Sequence, residues 1–213
     1  MAFDGFTSEA FDCYARLAED NSKENWKKIR GIYEEQVRNP VTGLAAELSA
    51  EFGEITVLRP QRDSRFSNDK SPYKLYQGAF VDLEPCVGFW VQLDADGVYA
   101  SGRFYPWSPE QVKRYRAAVD DARAGGALAG LVADLEAAGL TVGGDRLRTR
   151  PRGVPADHPR LSLLRHRSLD IGLRFPPDDP RLGGPEAVPA VASVWRRVRP
   201  VLDWVSAHVR PSA

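Results

Sequence analysis

The spacing of apolar residues changes twice along this chain, and that limits the folds open to it. Up to Phe52 the spacing is helical. Phe11, Tyr14, Leu17 and Ala18 form one stripe behind Thr7 and Ser8, either of which can cap a helix. Trp26, Ile29, Tyr33 and Val37 form a second stripe that starts near Ser22. Asn39-Pro40 is expected to end it, because a residue before proline avoids the helical basin. Leu44, Leu48 and Phe52 predict a third helix, closed by Gly53. From Ile55 the pattern alternates. Residues 55–58 read as a strand that leads straight into the segment 59–74, and 78–83, 87–93 and 98–104 as antiparallel strands, with Asp94-Ala95-Asp96-Gly97 turning between the last two.

Helical spacing then returns. Ser108-Pro109-Glu110-Gln111 opens a helix as a capping box, expected to run to about Arg123 and break at Gly125-Gly126. Leu128, Leu131, Val132 and Leu135 predict another helix, stopped by Gly139. Short strands follow around Thr141, around Leu147 and over 168–175. Between the last two lie a proline- and glycine-rich loop at 151–159 and a short helix from Arg160. The last helix carries Val188, Val191, Trp195, Val198, Leu202 and Val205, with a kink expected at Pro200. Helices, then a mostly antiparallel sheet, then helices predict a single α+β domain over 1–213, with N-terminal, middle and C-terminal helices flanking the sheet.

Several function classes are disfavoured. Hydrophobic residues make up 43% of the 213 and charged residues 27%, which suits a folded globular chain rather than a disordered one. No apolar run approaches the ~20 residues of a membrane span, and the start Met1-Ala-Phe-Asp-Gly-Phe lacks the basic and apolar parts of a signal peptide. Cys13 and Cys86 lie far apart and read as reduced thiols of a cytoplasmic protein. No metal site is expected from three scattered histidines and two distant cysteines. Phosphate-loop, serine-hydrolase and dinucleotide fingerprints are missing, and no cofactor is expected.

The densest chemistry sits in Arg59-Pro-Gln-Arg62-Asp63-Ser-Arg65-Phe66-Ser-Asn-Asp69-Lys70-Ser-Pro-Tyr73-Lys74. It holds five cations against two carboxylates, in a chain of zero formal net charge. Charge is uneven elsewhere too: 146–174 carries eight arginines and two aspartates, whereas 82–136 carries nine acidic and five basic residues. If 61–66 continue the strand, Asp63 and Arg65 share one face, and Arg62 and Phe66 the other. Asp63 can then orient Arg65 through a bidentate hydrogen bond. Asn68, Asp69 and Pro72 turn the chain, which places Lys70, Tyr73 and Lys74 on a loop at the strand end.

Arg-x-x-Arg-Asp-x-Arg-Phe followed by Asp-Lys-x-x-Tyr resembles the signature of DUF2461, a bacterial family of unknown function. Asn21-Ser-Lys-Glu-Asn-Trp26 is similar to that family's Asn-rich helix opening, except that Lys27 stands where a second aromatic is usual. Pro151-Arg152-Gly153, Asp157-His158-Pro159 and Leu163-Leu164-Arg165 resemble its C-terminal signature. The resemblance implies a shared fold and site and carries no activity with it.

On these readings the chain is expected to bind a small anionic ligand bearing phosphate or carboxylate. Arg62, Arg65, Lys70, Lys74 and Arg152 would bind it, Asp63 would orient arginine, and Asn21 would stand at the rim. In an enzymatic version, Asp69, Tyr73 or His158 would move protons. The competing readings stay open. Arg62, Asp63, Arg65 and Asp69 can instead be an ion-pair lattice that fastens a loop in a protein-interaction scaffold. Asn21, Lys23, Trp26 and Arg30 can be a capped helix with Trp26 in the core. His158 can simply cap a loop. The late arginines with Phe104, Tyr105 and Trp107 can bind nucleic acid, although the neutral total charge counts against it.

Overall fold

The chain folds as an α+β protein, described here from a computed structural model over residues 3–63, 65 and 69–209. Helices α1 (Ser8–Glu19), α2 (Lys23–Ile32) and α3 (Asn39–Phe52) lead into the sheet. Strands β1 (Thr56–Val57), β2 (Tyr76–Glu84), β3 (Val87–Asp94) and β4 (Gly97–Phe104) follow, then helices α4 (Pro109–Asp120) and α5 (Ala122–Ala137). The chain continues through β5 (Thr141–Gly143), α6 (Leu161–Leu164), β6 (Leu169–Phe175) and α7 (Ala187–Val209). The strands form one open antiparallel sheet in the order β1-β2-β3-β4-β6-β5. Thr56 faces Phe80 at one edge, and Val142 faces Ile171 at the other.

The chain divides into two compact units. The first is Met1–Val81, Trp90–Ala100 and Arg174–Ser193; the second is Asp82–Phe89, Ser101–Leu173 and Val194–Ala213. The core of the first includes Tyr14, Leu17, Tyr33, Leu44 and Leu48, all at most 2% exposed. These are the inward positions of α1 and of the helical run beyond it, as the apolar spacing requires. The core of the second includes Phe89, Phe104, Tyr115, Leu128 and Trp195, again at most 1% exposed. Phe89 and Trp195 stack with centroids 5.1 Å apart. Phe104, expected as a stacking surface for bases, lies instead inside this core, 5.7 Å from the Tyr115 ring.

Four local expectations are corrected. No strand forms around Leu147, where Arg146 makes only an isolated bridge to His166. Asn39-Pro40 does not break the helix. Residues Tyr33–Arg38 form a π-helical segment that joins α2 to α3, and the Asn39 N–H donates to Glu34 O, five residues back. Proline lacks an N–H and its ring clashes with the carbonyl four residues before it. Widening the turn relieves that clash, so the helix passes through. The break after α4 falls at Asp121 rather than Gly125-Gly126. Asp121 is extended and its carboxylate accepts from the N–H groups of Arg123 and Ala124, capping α5. The two glycines stay within α5. Finally, the strand leading to the signature stops short of 61–66, as the next subsection details. Elsewhere, the capping box at Ser108 and Gln111, the left-handed Gly53 and Gly139, and the positive φ of Gly97 after the β3–β4 turn are as the sequence predicts.

Replacing Trp195 by Ala empties the most voluminous site of the second unit's core and is expected to cost ~3–5 kcal/mol. Urea unfolding measures it, and a loss below about 1 kcal/mol would show that the Phe89–Trp195 stack does not hold this core.

Candidate functional site

The signature is a loop with a pinned neck. β1 ends at Val57, and Gln61 then makes a single antiparallel bridge to Tyr73. The Arg62 N–H donates to Pro72 O and the Lys74 N–H to Pro60 O, both at 2.9 Å, which closes the neck. Beyond Gln61 the strand cannot continue. Asp63 Oδ1 accepts from the Arg65 N–H at 3.2 Å, and Asp69 Oδ1 from the Ser71 N–H at 2.9 Å, so side chains take over bonds that a strand partner would make. The strand-face assignment of Phe66 and the turn read at Ser67 and Asn68 fall outside the described residues.

The loop's carboxylates meet its own arginines. Asp63 and Arg65 form the bidentate pair anticipated from sequence, Nε to Oδ1 at 2.9 Å and Nη2 to Oδ2 at 2.6 Å, although neither residue lies in a strand. Arg62 Nη1 pairs with Asp69 Oδ2. The Arg65 guanidinium, then its N–H, holds the Asp63 carboxyl below the usual carboxylate range. The N–H and hydroxyl of Ser71 do the same for Asp69. Depressed carboxyls keep these contacts above the ordinary range and release them as pH falls through the lowered values. Lys70 is exposed. Lys74 turns inward, its Nζ donating to Arg59 O at 2.7 Å and Gln61 O at 3.0 Å. Burial, then the nearby Arg59 and Arg62, lowers its pKa.

Two contacts tie this neck to the helix before it. The Asn21 side-chain amide donates to Tyr73 O at 3.0 Å and accepts from the Tyr73 N–H at 3.2 Å, imitating a strand partner. The Trp26 ring stacks on Tyr73 with centroids 4.2 Å apart and planes 15° apart, and its centroid lies 4.8 Å from that of the tilted Tyr33 ring. The Tyr33 hydroxyl donates to Gln77 Oε1 at 2.5 Å, while Gln77 Nε2 donates to Leu58 O at 2.8 Å. Trp26 is therefore core, and Asn21 acts on the backbone of a signature residue.

Between α2 and this neck lies a cavity of about 550 Å³, lined by Lys23, Trp26, Lys27, Arg30, Glu34, Arg38, Arg59, Pro60, Gln61 and Tyr73. Lys23, Lys27, Arg30, Glu34 and Arg38 follow each other at helical spacing and so share one side of the helix. Glu34 already pairs with Arg38 at 3.7 Å. Among the described residues, no carboxylate lies within ion-pair distance of Lys23, Lys27, Arg30 or Arg59. Sequence reading passed over Lys27, Arg38 and Arg59 as site residues. The cation spacing on α2 was the available signal, and only the fold supplies Arg59 opposite it.

Arg152 and His158 belong to the second unit. Arg152 is exposed in the loop before α6. His158 Nδ1 accepts from the Arg160 N–H at 3.1 Å, so the proton sits on Nε2, 3.1 Å from Asp120 Oδ1. The carboxylate on this ring is Asp120 rather than the adjacent Asp157. Other late arginines hold main-chain oxygens. Arg160 donates to the Val119 and Asp120 carbonyls at the end of α4, and Arg165 to those of Leu147 and Arg148. No group of His, Cys, Asp and Glu among the described residues is arranged to hold a metal, and Cys13 and Cys86 are free thiols. No helix among the described residues is long and apolar enough to cross a membrane.

Residues 9–204 match the family described as conserved hypothetical protein (DUF2461). No curated protein matches the chain.

Lys74 is expected to titrate below the ordinary lysine value of about 10.4 in an NMR titration of its ammonium. Its contribution to stability is then largest above that value and is lost as pH falls through the lowered one. Arg59→Gln, which removes a neighbouring charge and keeps the Arg59 carbonyl, shifts the midpoint up. An unchanged midpoint in the variant would show that Arg59 does not act on Lys74.

Proposed function

The chain belongs to the DUF2461 family, whose description attaches no reaction to it, so we propose from its own side chains that the cavity between α2 and the signature neck binds a small phosphate- or carboxylate-bearing ligand. The observation that carries this reading is the cation excess around one cavity. Lys23, Lys27, Arg30 and Arg59 have no carboxylate partner among the described residues, and the single acid lining the cavity, Glu34, is already engaged by Arg38. Like charges held close repel one another, and an anion from outside removes that repulsion. Arginine forks and lysine ammonium groups supply the geometry that phosphate and carboxylate oxygens accept.

The signature then has a divided role. Tyr73 forms part of the cavity wall, fixed by Asn21 and Trp26. Lys74 holds the neck and adds positive potential. Arg62, Asp63, Arg65 and Lys70 belong to the loop above the neck, where a larger ligand would meet them. An enzymatic version assigns proton transfer to Asp69 or Tyr73 in this unit and leaves His158 and Arg152 outside it. The ligand belongs to the reducing cytoplasm, in accord with two free thiols.

A second reading has its own support. The two signature carboxylates are taken up by Arg62 and Arg65, so the loop can serve the fold alone. The two readings separate by calorimetry with inorganic phosphate, pyrophosphate and citrate. Arg30→Gln combined with Arg59→Gln is expected to weaken the tightest of these by at least about tenfold, ~1.4 kcal/mol, without lowering the thermal midpoint. Rising salt is expected to weaken binding to the unmodified protein. Arg65→Met, exposed and away from the cavity lining, is expected to keep the affinity. Undiminished affinity in the double variant, or no binding of any of the three anions to the unmodified protein, would leave only the structural reading.

A further inference from the structure

The second unit carries a feature that the anion reading of the first does not use. Tyr105 and Trp107 are 58% and 75% exposed, on the short connection between β4 and α4. Their backbone is nonetheless held firmly. Pro106 and Pro109 fix two φ angles. The Tyr105 N–H donates to Cys86 O at 2.8 Å, and the Trp107 N–H to Gln111 Oε1 at 2.7 Å. Gln111 also closes the capping box with Ser108, and its Nε2 donates to Cys86 Sγ at 3.1 Å. A large ring kept in water on a rigid backbone contributes little to folding and is already ordered for a partner, so binding need not order it.

These rings border a cavity of about 580 Å³ whose charged lining is mainly cationic: Lys113, Arg116 and Arg167, against Asp145. Asp145 is paired with Arg167 at 3.2 Å, and Lys113 stands 3.9 Å from Glu110. Arg116 differs. Its Nε donates to Leu164 O at 3.0 Å, no carboxylate pairs with it among the described residues, and its Nη2 is withdrawn from water with no hydrogen-bond partner among them. Burial, then the neighbouring Arg167, disfavours its charge. A guanidinium left in this state is matched by an oxyanion that brings its own acceptors.

We propose that this cavity is a second binding site, for a planar aromatic ring bearing one anionic group, of the size and chemistry of a nucleoside monophosphate. The ring stacks on Trp107, and the phosphate meets Arg116 with Arg167 beside it. The volume lies within the roughly 300–1,000 Å³ typical of small-ligand sites. The same chemistry is offered by a free mononucleotide and by the end of a single strand.

Calorimetric titrations of the full chain with adenosine 5′-monophosphate, adenosine, inorganic phosphate and a five-nucleotide single strand test this. The monophosphate is expected to bind at least tenfold more tightly than adenosine. Inorganic phosphate titrated into Trp107→Ala should bind as it does to the unmodified protein, since any site in the first unit is untouched. Trp107→Ala, a surface change, is expected to keep the melting midpoint and to weaken the monophosphate at least tenfold, and Arg116→Gln to remove the preference for monophosphate over adenosine. Tighter binding of the strand with a steep salt dependence identifies a strand end as the source of the ring, and tighter binding of the monomer a free nucleotide. Equal affinity of the unmodified protein and Trp107→Ala for the monophosphate, or no binding of it at millimolar concentration, would overturn the site.

Discussion

The grip of Asn21 and Trp26 on Tyr73 is the contact on which the geometry of the first unit's cavity depends. The Asn21 amide occupies both backbone groups of Tyr73, and the Trp26 ring covers its side chain. The partners lie 52 residues apart in the sequence for the Asn21 bonds. Holding them together closes a long loop, and two hydrogen bonds plus a stacked aromatic pair offset that entropy. Once Tyr73 is fixed, Gln61 can bridge to it, Lys74 can reach the carbonyls of Arg59 and Gln61, and Arg59 comes to stand across from the cation row of α2. Each step follows from the one before.

Arginine serves two different purposes in this chain. Arg62 and Arg65 face carboxylates of their own loop, and Arg174 reaches Asp94 with two hydrogen bonds while covering the Tyr99 ring. Arg160 and Arg165 instead donate to carbonyls, the first of them at the end of α4, where the helix leaves acceptors unpaired and the dipole favours a cation. Of the eight arginines between Arg146 and Arg174, Arg160 and Arg165 are thus held by main-chain oxygens, and Arg167 and Arg174 by carboxylates. Lys23, Lys27, Arg30, Arg59 and Arg116 instead border cavities and have no carboxylate partner among the described residues, although Arg116 donates to Leu164 O.

Much of the architecture was legible because it depends on local rules. The Ser108 capping box, the glycines after α3 and α5, the β3–β4 turn and the spacing of core residues on α1 and α7 each follow from a few neighbouring side chains. The errors came where two local rules competed. At Asn39-Pro40 the proline rule predicted a stop, and a π turn let a long, well-buried helical run continue. At Asp121 an aspartate able to cap outweighed two glycines four residues later. At Asp63 and Asp69 side-chain acceptors for backbone N–H groups ended a strand that alternation would have extended.

By itself the chain's text determined the class of fold, the order of its helices and strands apart from the strand expected around Leu147, and the pairing of Asp63 with Arg65, since all of these rest on residues within a turn or two of each other. Only the tertiary structure decided that Arg59 stands across a cavity from Lys23, Lys27 and Arg30, that Phe104 is core while Tyr105 and Trp107 face water, and that Asp120 rather than Asp157 meets His158. The reason is physical: each of these placements joins segments distant in the chain, and their approach is set by how whole helices and strands bury their apolar faces, which no short window of residues contains.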